Sequence, residues 1–219
     1  MTWIAIEAST DVGTVAVLQD GRLVGEGEAR MKGRREERLM PAVLAILQEA
    51  GCAPRAVSAV VCGCGPGSFT SLRIAGAIAK GIVVGSGCAL YTVSSLALLV
   101  AGTPMSLNPG RYLTAVEALR GELYASLFDI APDGRIAELA NLGRIREGDV
   151  ARVCAREHAR ALGPGQELEA KPHARGVARL IEAIEASGRA SVDEWEPSYG
   201  RLAEAQVNWE AVHGRELAP

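Results

Sequence analysis

Apolar positions open the chain in two short blocks. Trp3, Ile4, Ala5 and Ile6 follow one another, and residues 13–18 form a second block after the polar stretch Ser9-Thr10-Asp11. Blocks this short, bounded by turn residues, predict strands over 2–7 and 13–18. Asp20-Gly21 is a hairpin signal, and 22–28 reads as the third strand. The spacing then changes. Within 36–50, Leu39, Met40, Val43, Leu44, Ile46, Leu47 and Ala50 recur three and four apart, which predicts a helix with more than one apolar side. Residues 57–64 return to a continuous apolar run, a buried strand, and 72–82 read as a second helix.

The same order comes back in the second half. Strands are predicted over 111–116, 122–130 and 135–142, with turns at 117–121 and at Pro132-Asp133-Gly134. Both third strands begin with an arginine after Asp-Gly. A helix over 149–157, a short strand over 159–162, the turn Gly163-Pro164-Gly165 and a helix over 174–187 complete the copy. A chain that repeats three strands, helix, strand and helix is a duplicated α/β protein. The junction falls in the turn-rich stretch 102–110, which dictates domains over 1–103 and 104–219, the second shorter and more divergent.

Between the fourth strand and the second helix lies Gly65-Pro66-Gly67-Ser68-Phe69-Thr70. Glycines permit a sharp turn there, and a helix start presents unpaired N–H groups, a potential anion site. Ser68 or Thr70 is the expected cap. A tight capped turn without any ligand is the other reading of the same residues.

Composition narrows the classes. The 219 residues suffice for one large domain or two small ones. No apolar run reaches the ~18–20 residues of a membrane span, and the N-terminus enters a strand without a signal-peptide pattern. The five cysteines have no framework spacing, and Cys62 and Cys64 read as small core thiols on one face of a strand. A net charge of −3 gives no global attraction to nucleic acid. The basic stretch 30–35, with Arg30, Lys32, Arg34 and Arg35, is either a solvated loop or a contact for RNA phosphates or an acidic partner. His158, His173 and His213 show no i, i+4 pairing, so no helical two-histidine metal site is expected. Neither a nucleophile elbow nor a P-loop occurs.

The string Gly65-Pro66-Gly67-Ser68-Phe69-Thr70-Ser71-Leu72-Arg73-Ile74, followed by Ala79-Lys80-Gly81, closely resembles the signature of the TsaB (YeaZ) family. These are bacterial proteins needed to make threonylcarbamoyladenosine in tRNA. The family usually has glycine where Ser71 stands and aspartate where Glu7 stands. Residues 4–10, Arg38-Leu39-Met40-Pro41, Val93-Ser94-Ser95-Leu96, Gly121-Glu122-Leu123-Tyr124 and Pro197-Ser198-Tyr199-Gly200-Arg201 also resemble family segments, the second without its usual nearby histidine. The likeness covers most of 1–130 and the C-terminal end and is thin over 140–190.

The resemblance implies the duplicated actin, sugar kinase and Hsp70-like (ASKHA) fold, with two similar domains. In that superfamily ATP lies between the domains. Glu7 and Glu117 occupy the matching acidic places, each one methylene longer than the usual aspartate. Candidate nucleotide contacts are Glu7, Ser9, Thr10, Gly65, Gly67 and Ser68; no catalytic residue and no metal ligand is expected in the isolated chain.

The implied function is a non-catalytic partner subunit that supports a TsaD-type enzyme in transferring threonylcarbamoyl to the adenosine beside the anticodon. The family pairs through its first two long helices, which places the interface on Leu39, Met40, Val43, Leu47, Arg73, Ala75, Gly76 and Ala79, the small residues allowing close approach. A TsaE-type ATPase would join through the complex and tRNA indirectly. A homodimer would form when the chain is alone, ATP or ADP would belong to an interface within the complex, and the location would be cytoplasmic, away from membrane. The rivals are a stand-alone ATP-dependent phosphotransferase or ATPase, and an M22-like peptidase.

Overall fold

The computed structural model describes residues 1–31 and 37–200. The first half supplies β1 (Thr2–Glu7), β2 (Val12–Gln19), β3 (Arg22–Arg30), α1 (Leu39–Glu49), β4 (Ala59–Gly63), α2 (Phe69–Ser86), β5 (Ala89–Val93) and α3 (Ser95–Gly102). The second supplies β6 (Gly110–Leu119), β7 (Glu122–Ile130), β8 (Ile136–Arg146), α4 (Val150–Glu157), β9 (Ala159–Leu162) and α5 (Val177–Ser187). Two separate sheets result, ordered β3-β2-β1-β4-β5 and β8-β7-β6-β9. In each, the first strand pairs antiparallel with the second and parallel with the strand after the helix. The repeat read along the chain is therefore a repeat in space. This duplicated arrangement is the actin, sugar kinase and Hsp70-like type of α/β fold.

Strands β1, β2 and β4 of the first sheet are buried on both faces, which is why they read as continuous apolar runs, while the edge strand β3 is mostly exposed. One face carries Ile4, Ile6, Val15, Val17, Val60, Cys62 and Leu90 against Leu39, Val43, Ile46 and Leu47 of α1 and Ala75, Ala79 and Val83 of α2. The other carries Trp3, Ala5, Ala16, Leu18 and Val61 against Leu98 and Ala101 of α3 and Val177, Leu180 and Ile184 of α5. The second sheet packs Tyr112, Val116, Tyr124 and Phe128 on Leu96, Leu99 and Val100 of α3. Its far face carries Leu113 and Ala125 against Val153 of α4. Helix α3 thus lies between the sheets and is apolar on every side.

Differences from the sequence reading have local causes. Neither β5 nor α3 is among the expected elements, because a helix buried all round has no polar face to reveal its period. Helix α2 begins at Phe69 rather than residue 72, and Ser68 stands at the cap position without capping. Its hydroxyl pairs with Ser71 Oγ at 3.1 Å instead. Helix α1 gains its cap from Glu37, whose carboxylate accepts from the amides of Leu39 and Met40. A carboxylate at that end also suits the helix dipole. The first three residues of the expected C-terminal helix form a 3-10 turn, Ala174–Gly176.

Candidate functional site

The loop 65–70 is fixed from beneath by a buried carboxyl. Glu7, at the end of β1, is 1% exposed. Its Oε1 accepts from Ser9 N at 2.5 Å and its Oε2 from Ser95 Oγ at 2.8 Å. Ser95 Oγ in turn accepts from Gly65 N at 3.1 Å. Burial pushes the Glu7 carboxyl above its usual range, against the lowering effect of these hydrogen bonds. The carboxyl fits only because β4 ends in glycine: a Cβ on Gly63 would sit 1.8 Å from Glu7 Oε2. The carbonyl of Ser9 accepts from Ser68 N at 2.7 Å, tying the β1–β2 turn to the start of α2.

Above this network lies a cleft of about 560 Å³ between the two halves. Ser9, Thr10, Asp11, Gly67, Ser68, Phe69 and Thr70 line it from the first half, and Glu117, Ala118, Tyr124, Pro164 and Lys171 from the second. Lys171 Nζ meets Asp11 Oδ1 at 3.0 Å across it. Of the candidate nucleotide contacts, Ser9, Thr10, Gly67 and Ser68 come together on one wall. Glu7 and Gly65 do not line the cleft. Glu7 is turned into the protein by Ser9 and Ser95, and a Cβ on Gly65 would meet Ser198 O at 2.2 Å. Glu117, at the matching place in the second half, is exposed. Glu7 is thus out of reach of any group bound in the cleft, and the carboxylates that line it are Asp11, paired with Lys171, and the exposed Glu117. Among the described residues no cluster of three or more His, Cys, Asp or Glu side chains is placed to hold a metal.

The outer surface of α1 and α2 is of a different kind. Leu39, Val43, Leu47, Ala75 and Ala79, expected at a partner interface, are buried in the chain's own first core. Gly76 is buried too, under the C-terminal segment, with its missing Cβ 3.4 Å from Pro197 Cγ and 3.5 Å from Trp195 Cζ3. The expectation is corrected accordingly. One helical stripe must cover the sheet, and the largest apolar and smallest residues serve that contact. Of the expected set, Met40 is half-buried and Arg73 exposed, the latter with its guanidinium 5.3 Å from the Phe69 ring. The outward positions are instead Leu44 (45% exposed), Ala77, Gly81 and Val84 (75% exposed). Met40 of α1, Pro54 and Arg55 of the turn after it, and Ile78, Gly81, Ile82, Gly85 and Ser86 of α2 line a largely apolar groove of about 430 Å³.

Helix α2 is long and apolar enough to cross a membrane by length and composition, yet one third of it (33%) is buried inside the fold. Its only charges are Arg73 and Lys80. The sequence signal for this outer face lies in the excess apolar coverage of 36–50 and in Gly81 and Gly85, but spacing alone does not say which stripe faces the sheet.

Burial raises the Cys62 thiol well above its ordinary range and the Cys64 thiol to about 11, with Glu7 adding to both, so neither is a ready nucleophile. His173 is buried and its Nδ1 accepts from Arg175 N at 3.1 Å. Burial, then the Arg175 charge, lower it to about 4. His158 caps the C-terminus of α4 in the left-handed region. Of the basic stretch 30–35, Arg30 is exposed at the end of β3, while Lys32, Arg34 and Arg35 lie outside the described residues.

Known proteins share this arrangement. Residues 32–141 match the family model described as TsaD: tRNA N6-adenosine threonylcarbamoyltransferase. The tRNA threonylcarbamoyladenosine biosynthesis protein TsaB of Bacillus subtilis is 28% identical over 235 residues, covering 95% of this chain and 98% of that protein. TsaB of Escherichia coli is 32% identical over 124 residues, 57% of this chain and 53% of that protein. The solved structure of YeaZ from Pseudomonas aeruginosa superposes with a TM-score of 0.74 at 26% identity, over 90% of this chain and 99% of that one. The repeated topology, the loop 65–70 and these likenesses agree: the chain belongs to the TsaB (YeaZ) family.

Proposed function

We propose that this chain acts in the biosynthesis of tRNA threonylcarbamoyladenosine as a non-catalytic partner subunit. It binds and supports a TsaD-type enzyme, and residues 1–103 are the docking domain, 104–219 the second domain. The names of the relatives support the pathway. The observation that carries the subunit role is the outer face of α1 and α2. There Leu44, Ala77, Gly81 and Val84 are exposed, and Met40, Ile78, Gly81 and Ile82 line a largely apolar groove of about 430 Å³ together with Pro54 and Arg55, while the Glu7 carboxyl is buried away from the cleft. Small residues at Ala77, Gly81 and Gly85 let a partner helix approach closely, and a face this poor in charge is stable when covered. A TsaE-type ATPase then joins through the complex, and tRNA is reached indirectly.

The test is association with the TsaD-type protein of the same organism. Leu44→Asp and Val84→Asp each put an unpaired carboxylate into a dry contact, a penalty of several kcal/mol. Affinity should fall ~1000-fold or more, since ~4 kcal/mol is three decades, while circular dichroism stays unchanged. Modification of tRNA should fall with complex formation. If both folded variants bind with wild-type affinity, or if the face proves to mediate only a homodimer or attachment to lipid vesicles, the assignment is wrong. Robust ATP turnover by the isolated chain with magnesium would equally overturn it.

A further inference from the structure

Residues 190–200 form no regular element, yet they reach the first sheet, α2 and the second sheet in turn. Ala190 N donates to Leu90 O on β5 at 2.9 Å, and Ser198 N to Cys64 O just beyond β4 at 2.7 Å. Between these points the segment runs along α2. Trp195, Pro197 and Tyr199 are half-buried while Glu196 and Ser198 between them are exposed. Trp195 and Pro197 cover Gly76, and the Trp195 ring lies 5.9 Å from Lys80 Nζ. The Tyr199 ring packs on Phe69 with centroids 4.4 Å apart. At its end the segment leaves the first half altogether. Tyr124 Oη, on β7 of the second sheet, donates to Tyr199 O at 3.0 Å, and Gly200 lies against the Tyr124 ring.

We propose that this segment is a latch between the two sheets, and that its release opens the cleft. Phe69 and Tyr124 are opposite walls of that cleft, and Tyr199 touches both. Away from the cleft the halves stay joined through α3 and through Ala174 N, which donates to Thr14 Oγ1 at 2.9 Å; across the cleft itself lies the Lys171–Asp11 pair, exposed on both sides (44% and 51%) and therefore weak in salt. The latch is built to come off: its inward side chains are only half-buried, and it meets the second sheet at Tyr124, through the hydrogen bond to Tyr199 O and the approach of Gly200 to the ring. Gly200 is in the left-handed region at φ +68°, and a Cβ there would meet Tyr124 Cε1 at 2.4 Å. A partner that pulls on α2 at Phe69, Arg73 or Lys80 would thereby move the cleft wall. The proposal holds whichever partner docks there.

Two variants separate the latch from mere packing. Gly200→Val blocks the terminal contact by bulk and backbone strain; Tyr124→Phe removes only the hydroxyl. Hydrogen exchange at Ser198 N reads seating. Nitroxide labels introduced through an unnatural amino acid at Thr70 and Glu167, one on each half beside the cleft, read its width by double electron–electron resonance. In the full-length protein both variants should speed Ser198 exchange at least ~10-fold and add a longer component to the distance distribution. An unchanged distribution while Ser198 exchange rises would overturn the latch, as would wild-type Ser198 exchange in both variants. If Gly200→Val fails to fold, Tyr124→Phe alone decides between these outcomes.

Discussion

Substituting Gly63 by alanine should destabilise the protein through Glu7, and a double-mutant cycle isolates that effect. The added Cβ would sit 1.8 Å from Glu7 Oε2 and 2.9 Å from Glu7 Cδ. Heavy atoms do not approach that closely, so the carboxyl must retreat by about an ångström or more. The retreat breaks the 2.8 Å bond from Ser95 Oγ and the 2.5 Å bond from Ser9 N. Each is worth about 1–1.5 kcal/mol, more if the donor stays buried and unsatisfied. Overpacking adds about 1–3 kcal/mol, and the sum is about 3–6 kcal/mol. Glu7→Ala alone strands the same two donors and leaves a cavity, a loss of similar size.

In the Glu7→Ala background, however, the new methyl of Gly63→Ala enters vacated space. Gly63 lies outside the left-handed region, so alanine brings no backbone strain there. The second substitution should then cost less than ~1 kcal/mol, a coupling of about 2–5 kcal/mol where independent sites agree within ~0.5. Equilibrium unfolding in urea, followed by far-ultraviolet circular dichroism and tryptophan fluorescence together, measures all four corners. Additive losses, or a Gly63→Ala protein as stable as wild type, would refute the account of why β4 ends in glycine.

Other outcomes follow from the same contacts. Because the folded pKa of Glu7 is raised above 4.5, the folded state holds its proton longer than the unfolded chain, and this contribution to stability falls as pH rises from ~4.5 through the folded value. Glu7→Gln should remove that slope in unfolding measured against pH. His173, lowered from 6.5 to about 4, acts with the opposite sign: between those values the unfolded chain binds the proton first, so stability is lost as pH falls, and His173→Gln should flatten the loss. Glu7→Gln should keep tRNA modification in the reconstituted system within ~3-fold of wild type; a ~100-fold loss, about 2.7 kcal/mol of barrier, with the complex intact would put Glu7 in the chemistry. Val43→Asp should fail to fold rather than merely fail to bind, since Val43 of α1 is fully buried against the first sheet; a stable monomeric Val43→Asp protein would show that α1 is placed wrongly.

The chain discloses its sheets more readily than its surfaces. Strands β1, β4 and β7 announce themselves because both faces of a buried strand must be apolar, and the Asp-Gly turns mark the hairpins. Helix α3 hides for a related reason. Wedged between two sheets, Leu96 and Leu99 serve one core and Leu98 and Ala101 another, so no polar period remains to detect. The cleft is legible in Ser9, Thr10, Gly67 and Ser68, which do share a wall. The role of Glu7 is not, because its partner Gly63 carries no side chain and the contact appears only when β1 and β4 lie side by side. On the outer face of α1 the sequence reading is off by one position in places, Val43 for Leu44. Helical spacing gives the stripes but not the rotation, and the sheet claims the stripe with the best shape. The segment 190–200 has a readable alternation, Trp195, Pro197, Tyr199, but nothing in it names α2 as the surface beneath.

Helix α5 lies on the first sheet, against Trp3, Ala5, Ala16 and Leu18, although it is written at the far end of the chain. During synthesis those side chains leave the ribosome early, and their cover follows roughly 160 residues later. At ~5–20 residues per second that interval is roughly 8–30 s. For all of it, one face of the first sheet is shielded at most by the short helix α3. The nascent protein therefore carries an apolar surface in search of a cover just when unfinished chains crowd together. Its yield in a cell should depend on chaperone supply and on elongation rate through the second half, even where the finished protein is stable.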